Sequence, residues 1–596
     1  MGGVTERRPG SRGAQVLGGI AALALGILVI RAFHGAGRYY QDWHLPYGTS
    51  LVHVHPQEIA FLVLYGLHAA LAALLLTGGL LLVGAAGPLE ALARRVRRRP
   101  DLLVIGAAVV MLLAMLVLVL AVFQGAPVTD DEPTYLFIAR TLLEGRVINP
   151  SPGDEGFFQN MFLIFNGKGW YGKYPIGHPL LLAIGVAAGA VRAVPPLVSA
   201  GTLVLTWFVG ARLVGRGAAT LAVCLLALSP QFVMTGATLL SQPTATFVMI
   251  LALLLTLRFE EAPDPARAAL ASAAWSFGVL VRPLPGILFI AVIMAWVLWR
   301  LYADRIVTGG RRLGILAAAA LPAVFFAGLF LLINRLQSGD VTTTGYHTPG
   351  TGLGVPIPDG PILSMAILGS VLRQAVWLFG WPLSYLFLPF ARGRRSLFLP
   401  WALLGAVLAY RIVVPKTFVS ATGPIYLMEA TPLLALLTGA GVLRLRDWLG
   451  RHGLQRLRAA VAPALIALTV TSFTMFVPVQ IRNLTTSCAA VHLPVTLLKA
   501  MPGERKDLVF ANWLVPGTGV SWHLFPPPPS PRLDDPIIFV RIPAGTTGTA
   551  PLLDFWQRRF PDRAAWIYDP RAGSEPPLRL LAPIPVDPVD TKGIGG

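Results

Sequence analysis

Residues 102–146 read LLVIGAAVVMLLAMLVLVLAVFQGAPVTDDEPTYLFIARTLLEGR, an apolar run followed closely by an acidic cluster. The run 102–122 is long enough to cross a bilayer, because about 20 apolar residues cover roughly 30 Å of hydrocarbon. Three consecutive carboxylates, Asp130, Asp131 and Glu132, then lie at the mouth of the predicted helix. Ionisable groups beside hydrocarbon are costly and indicate function. The stretch therefore predicts a membrane enzyme rather than a pore.

The composition predicts a polytopic membrane protein. Hydrophobic residues make up 55% and charged residues 13% of the 596 residues, whereas soluble domains carry about 25% charged residues. The net charge of +19 comes from basic residues bunched in short loops, such as 94–99, 311–312 and 392–395. This is the positive-inside pattern, so the charge does not indicate a nucleic-acid partner. With only two cysteines, Cys224 and Cys488, a disulfide framework is not expected.

The apolar runs predict about 13 membrane spans in an all-α bundle, with the N-terminus in the cytoplasm and the C-terminus outside. The predicted spans are 14–33, 58–86, 101–123, 196–213, 218–238, 243–258, 267–281, 284–302, 313–334, 365–390, 396–413, 427–443 and 459–478. This scheme leaves the basic loops inside and the acidic cluster outside. The further apolar run 179–191 is too short to cross, and we expect it to lie along the outer face.

The spans divide the chain into three predicted regions. Residues 1–100 form a pair of spans, and residues 101–480 form a core with a large outer loop at 125–178. After that the composition becomes polar and rich in proline, and short β-branched and aromatic runs at 508–515 and 536–543 are typical of strands. Residues 554–570 predict a helix, a turn and another strand. Residues 481–596 are therefore predicted to be a small α/β domain outside the membrane.

The ionisable residues of the predicted outer face form the candidate site, and each has a structural alternative. Asp131 and Glu132 could cap the helix that begins at Pro133. The segment 169–179, with Lys173, could be an interfacial anchor, and Arg282 could extend its charge to the interface.

The motifs at 130–146 (DDEPTYLFIARTLLEGR) and 169–183 (GWYGKYPIGHPLLLA) resemble the first outer loop of integral-membrane glycosyltransferases of the GT-C class. The likeness is to bacterial relatives of the dolichyl-phosphate-mannose protein mannosyltransferases and of the aminoarabinose lipid A transferases. Five later segments keep the family's order: LLSQPTATF (239–247), LVRPLPGILF (280–289), NRLQSGDVTTTGYHTPGTGLG (334–354), VWLFGWPLS (376–384) and GPIYLMEATPLLAL (423–436).

The resemblance implies a hexosyl- or pentosyltransferase of the cytoplasmic (inner) membrane. Its donor would be a polyprenyl-phosphate-linked sugar, and its acceptor a lipid, glycan or protein. Asp131 would be the general base, and Glu132 would orient the acceptor or bind a metal.

The resemblance also implies the remaining site residues. Those that would bind the lipid phosphate are Lys173, Tyr174, His178 and Arg282. Candidate ligands of a possible divalent cation are His347, Glu429 and Asp130. Gln242 stands where relatives with a second acidic motif carry a carboxylate, which argues against a second-motif metal site. We expect Lys173 and Arg282 to face a common outer-leaflet cavity near Asp131.

A second interpretation stays open from the sequence alone. The chain could be a lipid or polysaccharide transporter or flippase with an outer receptor domain. Such carriers usually hold ionisable residues near the middle of the bilayer and are built from inverted repeats. Neither feature is visible here, and the acidic cluster favours the transferase.

Overall fold

A computed structural model describes residues 10–37, 56–96, 99–125, 127–129, 131–160, 162–302, 309–346, 360–392, 395–413, 422–503, 505–511, 527–569 and 577–582. The chain forms two compact units. The first unit contains residues 1–122, 192–327 and 356–485. The second contains residues 123–191, 328–355 and 486–596.

The described residues form the following α-helices. They are α1 Gly10–Gly37, α2 Pro56–Leu82, α3 Ala86–Val96, α4 Pro100–Val117, α5 Asp131–Leu143, α6 Glu155–Phe158, α7 Gly177–Ala187, α8 Val194–Leu213, α9 Arg216–Ala227, α10 Pro230–Gly236, α11 Ser241–Glu261, α12 Pro265–Val281, α13 Pro283–Tyr302, α14 Gly310–Ser338, α15 Gly360–Trp377, α16 Phe398–Val413, α17 Thr431–Arg451, α18 Gln455–Thr471, α19 Val477–Lys499 and α20 Ala550–Arg559. A π-helix, Leu118–Val122, continues α4, and a second, Ser472–Phe476, joins α18 to α19.

The predicted polytopic helical fold is confirmed. Nine helices in the described ranges are long and apolar enough to cross a membrane, or ten if α9 and α10 form one broken span. The other predicted spans coincide with α12, α15 and α16, which have 17, 18 and 16 residues. The helix α7 has 11 residues and reaches about 16 Å at 1.5 Å per residue, half the thickness of the hydrocarbon.

Two predicted spans are interrupted, each at a recognisable sequence signal. The span 218–238 bends by 60° between α9 and α10, because Ser229 caps α10 by accepting a hydrogen bond from Phe232 N, and Pro230 opens the new helix. The span 365–390 is α-helical only to Trp377, and a short 3-10 helix follows at Leu388–Phe390. Gly380 then takes a φ of 64°, which glycine adopts without the strain that a side chain would bring.

The N-terminal helices α1 and α2 pack against each other, and α2 packs on α18. Tyr65 in α2 donates a hydrogen bond to the carbonyl oxygen of Gly380, and its ring contacts Phe476 at 5.3 Å between centroids. Both contacts lie in the first unit. The helix α2 therefore supports the turn that follows α15, a role that the sequence did not indicate.

The second unit carries the six strands of the described residues. The hairpin β1 Leu163–Asn166 and β2 Gly169–Gly172 is antiparallel. The strands β3 Asp507–Ala511, β4 Ile537–Arg541, β5 Ala564–Tyr568 and β6 Leu578–Ala582 form a sheet in the order β4-β3-β5-β6. β3 is parallel to β4 and β5, and β6 is antiparallel to β5. The predicted α/β domain is therefore present.

The C-terminal sheet is covered on both faces. On one face Val509 and Trp566 pack with Leu498 near the end of α19. On the other face Phe510 contacts Phe555 of α20, and Phe157 from the outer loop stacks on Phe555 at 3.9 Å. The outer loop thus completes the hydrophobic core of the C-terminal domain.

Candidate active site

The start of α5 places the predicted acids in different environments. Glu132 is buried and accepts hydrogen bonds through Oε1 from the backbone N–H groups of Val128 (2.9 Å) and Thr129 (3.1 Å). This matches the capping alternative for Glu132, because its carboxylate fixes the turn before the helix. Asp131 is only partly buried. Of the two, Asp131 is therefore the carboxylate that a substrate can approach.

Tyr174 holds Asp131. Its phenol donates a hydrogen bond to Asp131 Oδ1. Burial first, and then the negative charge of Asp131, raise the pKa of Tyr174 well above its ordinary value. The phenol therefore stays protonated and remains a donor. A carboxylate held through one oxygen has a fixed orientation, as a general base requires.

The hairpin carries Tyr174 to α5. The Lys173 N–H bonds to the carbonyl oxygen of Phe162 at 2.9 Å, which extends the β1–β2 pairing. At Gly172, an added Cβ would lie 2.5 Å from Ile138 Cγ1 of α5. Only glycine allows the hairpin to lie this close to the helix.

Aromatic rings surround the pair. Tyr135 stacks on Tyr174 with centroids 4.6 Å apart, and His178 meets Tyr135 edge-on at 4.9 Å. Tyr346 contacts Tyr174 at 6.0 Å. His178 is fully buried, so it supports the rings from inside instead of presenting its imidazole to solvent.

Lys173 lies at the edge of this cluster. Its Nζ is 4.1 Å from the centroid of the Phe162 ring and 5.1 Å from that of Tyr174, in cation–π geometry. The backbone at Gly345 packs closely against the backbone of Lys173, since a Cβ added at Gly345 would lie 2.3 Å from the Lys173 carbonyl oxygen. The segment after α14 therefore packs over Lys173.

The first unit holds a separate cluster around Arg282. Arg282 Nη1 lies 3.2 Å from Glu429 Oε1, and both side chains are less than a tenth exposed. Arg282 Nη2 donates to the Tyr410 hydroxyl at 3.1 Å. The Tyr426 ring lies 5.6 Å from the Arg282 guanidinium and 5.2 Å from that of Arg411. The structure thus gives Glu429 an arginine partner.

Two further arginines of this cluster were missed in the sequence. Arg411 and Arg373 are both buried, and their positive charges repel each other. Arg411 Nη2 lies 3.4 Å from Ser370 Oγ. Each arginine lies within a predicted span, and an arginine inside an apolar run was the signal that could have revealed them.

The described residues do not provide the cluster of ligands that the predicted metal site would need. They contain no group of three or more His, Cys, Asp or Glu side chains arranged to hold a metal ion. Of the candidate ligands, Asp130 and His347 lie outside the described residues, and Glu429 is paired with Arg282. We therefore assign no chemical step to a metal.

The apolar helices of the described residues thus place the protein in the class of polytopic helical membrane proteins. Within that class, residues 176–333 match the family model described as dolichyl-phosphate-mannose-protein mannosyltransferase. This match confirms the resemblance to GT-C glycosyltransferases. No curated protein sequence matches the chain.

Solved structures with a similar fold include ArnT from Cupriavidus metallidurans bound to undecaprenyl phosphate. It is 13% identical, and the match covers 78% of this chain and 93% of that one with a TM-score of 0.42. The oligosaccharyltransferase from Archaeoglobus fulgidus is 12% identical over 68% and 62% of the two chains, with a TM-score of 0.39. Arabinosyltransferase EmbB from Mycobacterium smegmatis is 14% identical over 76% and 46%, with a TM-score of 0.36. At these values none of them assigns a role to a residue of this chain.

Proposed function

We propose that the protein transfers a sugar from a polyprenyl-phosphate donor to an acceptor hydroxyl at the outer face of the cytoplasmic membrane. The observation that carries the proposal is the partly buried Asp131 at the start of α5, oriented by the Tyr174 phenol. The family match over residues 176–333 supports the transferase class. ArnT, a protein of similar fold, was solved with undecaprenyl phosphate, which suggests the class of the donor.

The reaction is a single displacement. Asp131 accepts the proton of the acceptor hydroxyl as its oxygen attacks the anomeric carbon. The bond between that carbon and the phosphate oxygen breaks, and its electron pair leaves with the lipid phosphate. One displacement of this kind inverts the anomeric centre.

The arginine cluster has the chemistry that the leaving group needs. Guanidinium groups bind phosphate oxygens through paired N–H donors. Their charge acts most strongly where water is excluded. Arg282 and Arg411 are both buried and flank the Tyr426 ring. The predicted topology places both at the outer ends of their spans, where a donor with an outward headgroup presents its phosphate.

The test is sugar transfer by membranes that contain Asp131→Asn. The amide keeps the acceptor oxygen for Tyr174 but removes the base, so turnover should fall by about 10²–10⁴-fold, or about 3–5 kcal/mol of transition-state stabilisation. The matched control is Asp562→Asn, which removes the same charge from a side chain that is 60% exposed. Turnover of Asp131→Asn within about threefold of wild type would leave Asp131 as a helix cap.

A further inference from the structure

A cleft in the second unit lies between the outer loop and the C-terminal domain. Its volume is about 460 Å³, within the range of small-molecule sites. One wall comes from residues 144–152, which follow α5. The other comes from residues 531–533 and Arg559 of the C-terminal domain.

Arginines dominate the charge of this cleft. Of the charged side chains that line it, Arg146, Arg532 and Arg559 are basic and Glu144 is acidic. Glu144 lies 3.0 Å from Arg532 and 3.4 Å from Arg146. The Arg532 and Arg146 side chains are nevertheless 68% and 52% exposed, so their guanidiniums also face solvent.

The geometry points to an anionic ligand. A guanidinium has five N–H donors, more than one contact with Glu144 uses. A second carboxylate or a phosphate can occupy the others in the paired geometry that arginine favours. Arg559 donates to the carbonyl oxygen of Pro152, which holds the outer-loop wall against the C-terminal wall.

The position of the cleft sets the shape of the ligand. Asp131 begins α5, and Glu144 directly follows its end. The 13 residues of this helix span about 20 Å at 1.5 Å per residue. A molecule that is anchored in the cleft and also reaches Asp131 must be an extended chain.

We propose that this cleft binds an anionic stretch of an extended acceptor glycan, while the acceptor hydroxyl reaches Asp131. This inference rests on the proposed function, which it deepens by naming the class of acceptor. The anionic groups are carboxylates of uronic acid residues or phosphodiesters, which share the same chemistry towards arginine.

The experiment is fluorescence polarisation with the purified full-length protein in detergent. The probes are labelled oligogalacturonate, a teichoic-acid-type glycerol phosphate oligomer, and a neutral maltooligosaccharide of similar length. Wild-type protein should bind at least one anionic probe more tightly than the neutral one, and added salt should weaken that binding. Preference for one anionic probe identifies the group.

The decisive variant is the double change Arg146→Ala/Arg532→Ala. Loss of even one charge-assisted hydrogen bond should weaken binding of the anionic probe by about tenfold or more. Its matched control is Arg579→Ala, which removes an exposed arginine of the same domain outside the cleft. A melting curve in the same detergent shows that both proteins fold.

Two results would overturn the proposal. In the first, the protein binds the anionic and neutral probes equally well, or binds none of them. The other is equal weakening by Arg579→Ala and by the double change, which would indicate general charge attraction. The polarisation measurement reports binding without turnover, so failure of the cleft and failure of Asp131 as the base are told apart.

Discussion

The Asp131 cluster and the Arg282 cluster differ in how they meet water. Asp131 is a partly buried carboxylate with a phenol donor on one oxygen. Arg282 and Glu429 form an ion pair in which neither side chain is more than 9% exposed. The first arrangement leaves a carboxylate that a substrate can approach, whereas the second shields two charged groups from solvent.

This difference fits the two chemical tasks that we propose for the clusters. A general base must reach the proton that it abstracts, so complete burial would disable it. A group that stabilises developing charge acts best in a site that excludes water. The cost of the second arrangement is the desolvation of each charge, which only a well-placed partner offsets. The two clusters should therefore respond differently to substitution.

The first prediction concerns topology: we expect the loop that carries Asp131 and the C-terminal domain to lie outside the membrane. The proposed reaction takes place there, so its base must lie on that side. Asp554→Cys places a thiol at a side chain that is 65% exposed in the C-terminal domain. An impermeant maleimide should label it in intact cells. The control is Asp447→Cys, an exposed position near the end of α17 in the basic segment 444–458, which the topology predicts to be cytoplasmic. It should be labelled only after permeabilisation. The reverse pattern would invert the topology.

The second prediction breaks the buried pair. Glu429→Ala leaves the Arg282 guanidinium buried without its carboxylate, which should lower the free energy of unfolding by about 3–5 kcal/mol. Thermal denaturation in detergent measures this loss.

The control for this pair is the double change Arg282→Met/Glu429→Leu. Apolar residues of similar volume can replace a buried ion pair at little cost, so stability should largely return. Transfer activity should be lost, because the guanidinium that we propose binds the leaving phosphate is gone. An active double variant would reduce the Arg282–Glu429 pair to a structural role.

The third prediction concerns Tyr174. Tyr174→Phe keeps the ring that stacks on Tyr135 but removes the hydroxyl that orients Asp131. We expect kcat to fall by about tenfold, the effect of losing one hydrogen bond to a charged group, with little change in melting temperature. Tyr385→Phe in the first unit removes the same atom elsewhere and should leave kcat unchanged. Equal kcat for Tyr174→Phe and wild type would show that Asp131 needs no orienting donor.

The fourth prediction concerns a more exposed ion pair. Arg140 near the end of α5 lies 3.0 Å from Asp535, and the two side chains are 39% and 23% exposed. Arg140→Asp should lower stability by about 1 kcal/mol or less, and the swap Arg140→Asp/Asp535→Arg should restore it in thermal denaturation. If Arg140→Asp lowered the free energy of unfolding as much as Glu429→Ala does, the burial of an ion pair would not determine how strongly the protein depends on it.

Much of the fold was predictable because hydrophobic periodicity and length act locally. The apolar runs marked the long helices. The short β-branched run at 508–515 overlaps β3, which begins at Asp507, and the run at 536–543 contains β4. The strand β6 and the hairpin β1–β2 were missed, since such short segments depend on pairing with distant strands. The change to polar composition after residue 479 was read as the start of the outer domain, yet α19 runs to Lys499.

The candidate site was predictable only in part. The acidic run drew attention to Asp131, and the motif at 169–183 to Tyr174, but no local pattern indicates that the two side chains share a hydrogen bond. Arg373 and Arg411 each stand out as an arginine in a long apolar run, but no local pattern indicates that both are buried near Arg282.

The sequence by itself determined that this is a multi-pass membrane protein with an acidic cluster after one of its spans and a small α/β domain, because composition and hydrophobic length act through the nearest residues and the bilayer. Only the tertiary structure decided that Glu132 caps a helix while Asp131 meets Tyr174, and that Glu429 neutralises Arg282. Those assignments depend on which side chains are buried together. Burial together is a property of packing between segments that lie 43 or more than 140 residues apart, and no local pattern encodes it.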